Sequence, residues 1–140
     1  MPFLCDLLAF MSLTLVVWWT RKFGAAMVTG LVVAALTLIL RPGAFDILAF
    51  AAASPFFDAA TRAVGYRNCL DKTTASVVCI VLFSMISAGM AGVIIGSFFM
   101  DLRTLPAILT FAGLHAIGGV IGGAIGVTIV RALAARRIQP

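Results

Sequence analysis

Most basic residues of this chain sit in short clusters, and between the clusters run five apolar stretches of membrane-crossing scale. A transmembrane helix needs about 20 mostly apolar residues. On that criterion the stretches lie at residues 3–20, 23–40, 44–64, 74–100 and 105–130. Arg41-Pro42-Gly43 breaks the second stretch from the third as a tight turn. Only 11% of the residues are charged and 63% are hydrophobic, with a mean hydropathy of +1.18. A soluble domain carries about a quarter of its residues as charge. A water-facing surface built from this chain would be one large apolar patch, which lipid accommodates. The expected fold is therefore an all-α integral membrane protein, a compact bundle of about five transmembrane helices forming a single domain over residues 1–140. The segments 74–100 and 105–130 exceed the minimum length, so tilt or projection beyond the lipid is expected.

The net charge of +5 does not indicate nucleic acid, because the basic residues sit between apolar runs and not along one face. Their distribution orients the bundle. If the first turn, the 65–72 loop and the C-terminus share a side, it holds Arg21, Lys22, Arg62, Arg67, Lys72, Arg131, Arg136 and Arg137, against Arg41 and Arg103 opposite. The positive-inside rule then places the N-terminus outside and the C-terminus in the cytoplasm, in the cell membrane. Trp18, Trp19 and Tyr66 fall at the inner interface, and Phe98-Phe99 at the outer one. Met1 to Asp6 lacks a positive n-region and Arg21-Lys22 follows the apolar run, so no cleavable signal peptide is expected.

Helices in lipid associate through close packing of small residues. The last segment supplies Gly118, Gly122 and Gly126 at four-residue spacing with Gly119 and Gly123 beside them, and the fourth segment supplies Ala88, Gly92 and Gly96. These stripes either pack the bundle internally or dock a partner membrane protein. Ionisable residues within the membrane need an account of their own. His115, the single histidine, lies near the middle of the last segment, as a ligand contact, a polar gate or an interhelical hydrogen bond. Asp46, Ser97 and Phe111 join it as candidate substrate-binding residues. Arg41 with Asp46 and Asp101 with Arg103 belong to the outer turns, as a binding rim or as solvated turn charge. Asp6 is expected to stay wet near the outer headgroups. Asp58 and Arg62, four apart, are expected to form an inner ion pair, and Pro55 to kink its helix.

No nucleophile with a base, carboxylate cleft, H-E-x-x-H or phosphate-binding glycine loop is present, so neither an enzyme nor an ATPase is expected. No metal or cofactor is indicated, and Cys5, Cys69 and Cys79 fit no metal or redox spacing.

Three stretches resemble the substrate-binding subunits of energy-coupling-factor (ECF) transporters, of the ABC transporter class. Trp18-Trp19-Thr20-Arg21-Lys22-Phe23-Gly24-Ala25-Ala26 looks like the inner turn between their second and third helices. Ala51-Ala52-Ala53-Ser54-Pro55-Phe56-Phe57-Asp58, with Gly65-Tyr66-Arg67, resembles the end of their fourth. Leu114-His115-Ala116-Ile117-Gly118-Gly119-Val120-Ile121-Gly122-Gly123, with the basic tail, is similar to their sixth. The resemblance covers about residues 7 to 135 and implies capture of a vitamin or similar micronutrient from outside, with a transmembrane coupling protein and cytoplasmic ATPases as partners. That family has six helices; removing its first gives the orientation derived above from charge. Beside this reading stand a non-transporting interaction or assembly subunit and a small oligomeric channel with His115 near the pore.

Overall fold

The structure is a computed structural model that describes residues 2–71 and 73–136, with side chains over 5–71 and 74–136. Lys72 and Arg137 of the basic count lie outside the described residues. Six α-helices follow in order: α1 (Pro2–Thr20), α2 (Ala25–Leu40), α3 (Ile47–Val64), a short α4 (Tyr66–Leu70), α5 (Thr73–Ile94) and α6 (Leu105–Ala135). α5 runs on through a π-helical turn, Ile95–Phe99, in which Met100 N–H donates to the Ile95 carbonyl at 2.9 Å.

The chain is thus all-α with the character of a multi-pass membrane protein. Spans Ile47–Val64, Thr74–Phe99 and Leu105–Ala135 have the length and composition to cross a bilayer; Cys5–Thr20 and Ala25–Leu40 are apolar but shorter. The five expected segments correspond to α1, α2, α3, α5 with its π turn, and α6. The 65–72 stretch, expected as a loop, instead winds into α4, which packs on α5. At 31 residues α6 is about 46 Å long, well beyond a hydrocarbon core of about 30 Å.

The five long helices close into a ring: α6 packs on α5 and on α1, α1 on α2, α2 on α3, and α3 on α5. The ring has a filled interior. Phe10 of α1 meets Phe50 and Phe57 of α3 edge-on, at centroid distances of 5.9 and 6.0 Å. Leu13, Val17 and Ile80 are buried with them.

Glycine sets how close the helices come. A Cβ on Gly122 would lie 2.6 Å from the Leu7 carbonyl of α1, and one on Gly126 2.9 Å from the Thr14 side chain. On the other flank of α6, a Cβ on Gly119 would collide with the Ser84 carbonyl and one on Gly123 with the Ser84 hydroxyl. From α5, Gly92 accepts Ala112 and His115 of α6 at its surface. The α5 and α6 stripes are therefore internal packing faces: Ala88, Gly92, Gly96, Gly118, Gly119, Gly122, Gly123 and Gly126 are all buried.

The α2–α3 seam rests on polar atoms. Pro55 has no N–H to offer the Ala51 carbonyl one turn back, and the Ser54 hydroxyl takes that role, donating to Ala51 O at 3.0 Å. Gly30 of α2 leaves the room that this hydroxyl occupies. The expected Asp58–Arg62 ion pair is not formed. Asp58 is fully buried, and its Oδ2 accepts backbone N–H bonds from Gly24 at 2.7 Å, Ala26 at 3.2 Å and Met27 at 3.4 Å. The carboxylate thereby caps the N-terminus of α2 from a neighbouring helix, where unpaired N–H groups and the helix dipole favour an anion. Gly24 reaches the cap in a left-handed conformation, φ 94°. Arg62 instead lies over the Phe23 ring, 5.0 Å from its centroid. The pair fails because three orphan N–H groups in an apolar setting outcompete one exposed guanidinium.

Two stability measurements test this packing. Gly122→Ala is expected to lower the unfolding temperature in detergent through overpacking that costs roughly 1–3 kcal/mol. Gly113→Ala, where a Cβ meets nothing within 4 Å, should leave it unchanged or raise it. Asp58→Ala is expected to cost about 2 kcal/mol or more as a lost cap in a buried site. Arg62→Ala should cost roughly 1 kcal/mol or less; equal losses from the two would restore the ion-pair account.

Candidate functional site

The ring has two chemically distinct ends. One gathers the start of α1, the α2–α3 turn and the halves of α5 and α6 nearest their connection, and there a cavity of about 420 Å³ opens. Its polar lining comes from Asp6, Thr37, Arg41, Asp46 and His115; Phe50, Ile47 and Ile95 supply apolar wall. This size and mixture, mostly apolar with a few convergent polar groups, are those of small-molecule sites.

Asp6 and His115 are the buried members of that lining, 5% and 3% exposed. His115 Nδ1 stands 2.5 Å from Asp6 Oδ2. Asp6 is thus not wet at the headgroups, as expected from its position near the chain start. α1 and α6 run parallel and touch through glycine, so a carboxylate at the start of α1 turns inward onto the histidine. With the Nδ1 proton toward Asp6, a neutral imidazole offers Nε2 as an acceptor; a protonated one offers a second donor. Nε2 is buried and has no hydrogen-bond partner among the described residues, while Nδ1 and Asp6 Oδ2 make a close approach that lacks hydrogen-bond geometry. Phe111 flanks the imidazole at a centroid distance of 4.7 Å and a tilt of 58°. Gly92 fixes the ring from the opposite side, since a Cβ there would lie 3.0 Å from His115 Cβ and 3.1 Å from its Cδ2.

Arg41 and Asp46 reach the cavity from the α2–α3 turn, whose Gly43 adopts φ 105°, a left-handed conformation that glycine accepts without strain. Asp46 occupies the N-cap position of α3 but makes no side-chain cap bond. Its exposed carboxylate therefore faces the cavity without a helix terminus to satisfy.

Of the four substrate-binding candidates read from the sequence, the structure brings His115 and Asp46 to one cavity. Phe111 acts on His115 and does not line the cavity; Ser97 sits half-buried in the π turn, away from it. The Asp101–Arg103 pair is a mutual contact of 3.1 Å on an exposed turn and is no part of the rim. Asp6 is the residue that sequence reasoning missed. The signal was its presence in an apolar helix next to a chain with one histidine, both of which need a polar partner.

The opposite end collects Arg21, Arg62, Arg67, Arg131 and Arg136 around the α4–α5 turn. Arg21 bridges to Asp71 through two bonds, 2.7 and 3.1 Å. Cys69 is buried there, its thiol pushed up to about 12 by burial first and then by its hydrogen bond to Cys79, which leaves it a poor nucleophile at neutral pH. No group of three or more metal-ligating side chains occurs among the described residues.

His115 is the single histidine, so ring ¹H–¹⁵N spectra of the tag-free protein report on this site alone. The Nδ1-protonated form is expected to dominate, and Asp6→Ala should release the ring to the ordinary Nε2-favoured mixture. Identical spectra from the two proteins would mean that Asp6 does not hold the imidazole. Comparison with protein-family models, with curated proteins and with solved structures yields no match.

Proposed function

We propose that this chain is a membrane-embedded substrate-capture subunit for uptake of a vitamin or similar micronutrient, energised by partner ATPase subunits. The observation that carries the reading is the 420 Å³ cavity with a buried Asp6–His115 pair and an unpartnered imidazole nitrogen. Such a lining suits a compact ligand with an apolar body and hydrogen-bonding groups at its edge. All five long helices cross the membrane in this reading, with the cavity outside and the arginine-rich end in the cytoplasm, as the charge bias requires. The coupling protein and ATPases follow from the resemblance to ECF substrate-binding subunits and from the lack of a phosphate-binding loop in this chain.

A non-transporting assembly subunit would have used the glycine stripes as its docking face. Those stripes are turned inward, so that role would fall to another surface.

Gentle detergent extraction followed by mass spectrometry of associated small molecules and polypeptides tests the proposal. A retained micronutrient-like compound or an ATPase partner is the expected result, and a clean homo-oligomer with neither would sink it. His115→Ala should weaken retention of the compound by roughly tenfold, the effect of one buried hydrogen bond; unchanged retention would make His115 a packing residue. Orientation is tested separately with a membrane-impermeant thiol reagent on intact cells, in a background free of native cysteines. Arg103→Cys should react and Asn68→Cys should not until the membrane is opened. The reverse pattern would invert the bundle.

A further inference from the structure

The arginine-rich end holds a second cavity, of about 720 Å³, between the end of α1, the α4–α5 turn and the last turns of α6. Its polar wall is made by Arg21, Asp71, Ser76 and Arg131, and Trp18 and Trp19 stand beside it. Among the described residues, the wall carries two guanidinium groups and one carboxylate.

Arg21 is held there at a conformational cost. Its φ of 49° is left-handed, a region that non-glycine residues seldom adopt, and its N–H closes the end of α1 on the Val17 carbonyl at 2.9 Å. The terminal nitrogens face Asp71, while Nε is buried without a hydrogen-bond partner. Across the pocket, Arg131 Nη2 lies 3.4 Å from Ser76 Oγ.

The polar pocket does not stand alone. An apolar trough of about 350 Å³, walled by Leu15, Val16 and Leu133, shares Trp18, Trp19 and Thr20 with it. The trough lies between the last turns of α1 and Leu133 of α6. Tryptophan marks the level of lipid headgroups, and a basic pocket between helices at that level matches an anionic headgroup. A free anion would occupy the pocket and leave the trough without a role; a phospholipid fills both.

We infer that this end of the bundle binds one anionic phospholipid, its phosphate between Arg21 and Arg131 and an acyl chain in the Leu15–Leu133 trough. The inference rests on the multi-pass membrane reading and not on any ligand at the outer cavity.

Native mass spectrometry of the delipidated full chain in detergent, with defined lipids added back, tests it. Dioleoyl phosphatidylglycerol should be retained as a single adduct and dioleoyl phosphatidylcholine should not. Arg131→Gln should weaken that adduct roughly fivefold, the usual effect of one basic residue at a lipid surface. Arg131→Lys should restore most of it, which separates loss of charge from loss of fold, and Arg103→Gln at the outer turn should change nothing. Equal retention of the two lipids, or equal behaviour of Arg131→Gln and Arg103→Gln, would overturn the site. Displacement by millimolar inorganic phosphate, or equal binding of the dihexanoyl lipid, would reassign the pocket to a free anion and overturn the lipid assignment. None of these outcomes depends on whether a micronutrient is found at the outer cavity.

Discussion

Everything in this bundle depends on how closely α6 can approach its two neighbours. Lipid removes the hydrophobic drive that packs helices in water, so association rests on van der Waals contact between backbones. α6 meets that condition on both flanks, with Gly122 and Gly126 toward α1 and Gly119 and Gly123 toward α5. The same contacts build the cavity beside His115. Bringing α1 onto α6 turns Asp6 toward His115, and Gly92 of α5 gives the imidazole its seat. Packing and site are one arrangement here, so a methyl group added to a buried glycine reaches the polar pair without touching it.

The second constraint is that no polar backbone atom can be left unpaired in an apolar surround. Two features that look like faults in sequence are answers to it. Pro55 breaks the hydrogen-bond ladder of α3, and Ser54 closes the gap, in space cleared by Gly30. Asp58 would be an unpaired buried charge in α3, and the uncapped N-terminus of α2 would be a row of buried donors. Each resolves the other. The cap also fixes where α2 begins, which sets the position of the Arg41–Gly43 turn at its far end and so the rim of the cavity beside His115.

This explains which parts of the molecule were legible in its sequence. The helices were, because uninterrupted apolar runs and charge clusters are local signals; the segments expected at 44–64 and 105–130 correspond to Ile47–Val64 and Leu105–Ala135. The glycine stripes were legible as packing faces, though not the helix each would meet. The polar pairings were not. Asp58 and Arg62 are neighbours on one helix face, and sequence spacing favours joining them, yet the better partner for Asp58 lay more than thirty positions away. Asp6 and His115 stand at opposite ends of the chain, and only the parallel run of α1 and α6 unites them. Ser97 falls in the π turn at the end of α5 and does not line the cavity.

Between the two cavities the ring is plugged. Phe10, Phe50 and Phe57 meet across the interior, and Leu13 and Val17 continue the plug toward the arginine-rich end. A molecule seated beside His115 has no path through the bundle as it stands. Under the proposed function, capture and release are therefore separate events, and release requires that the helices repack. The seam between α1 and α2 is the thinnest side of the ring, since α2 turns most of its apolar surface outward and commits only Ala26, Gly30 and Ala34 to the interior. Its hold on the bundle is concentrated in the Asp58 cap and the Ser54–Gly30 contact with α3. Movement of α1 away from α2 would open the cavity from the side, beneath Phe10, without breaking either of those contacts or the glycine faces of α6. Under the proposed function, the energy for that step comes from the partner ATPase subunits.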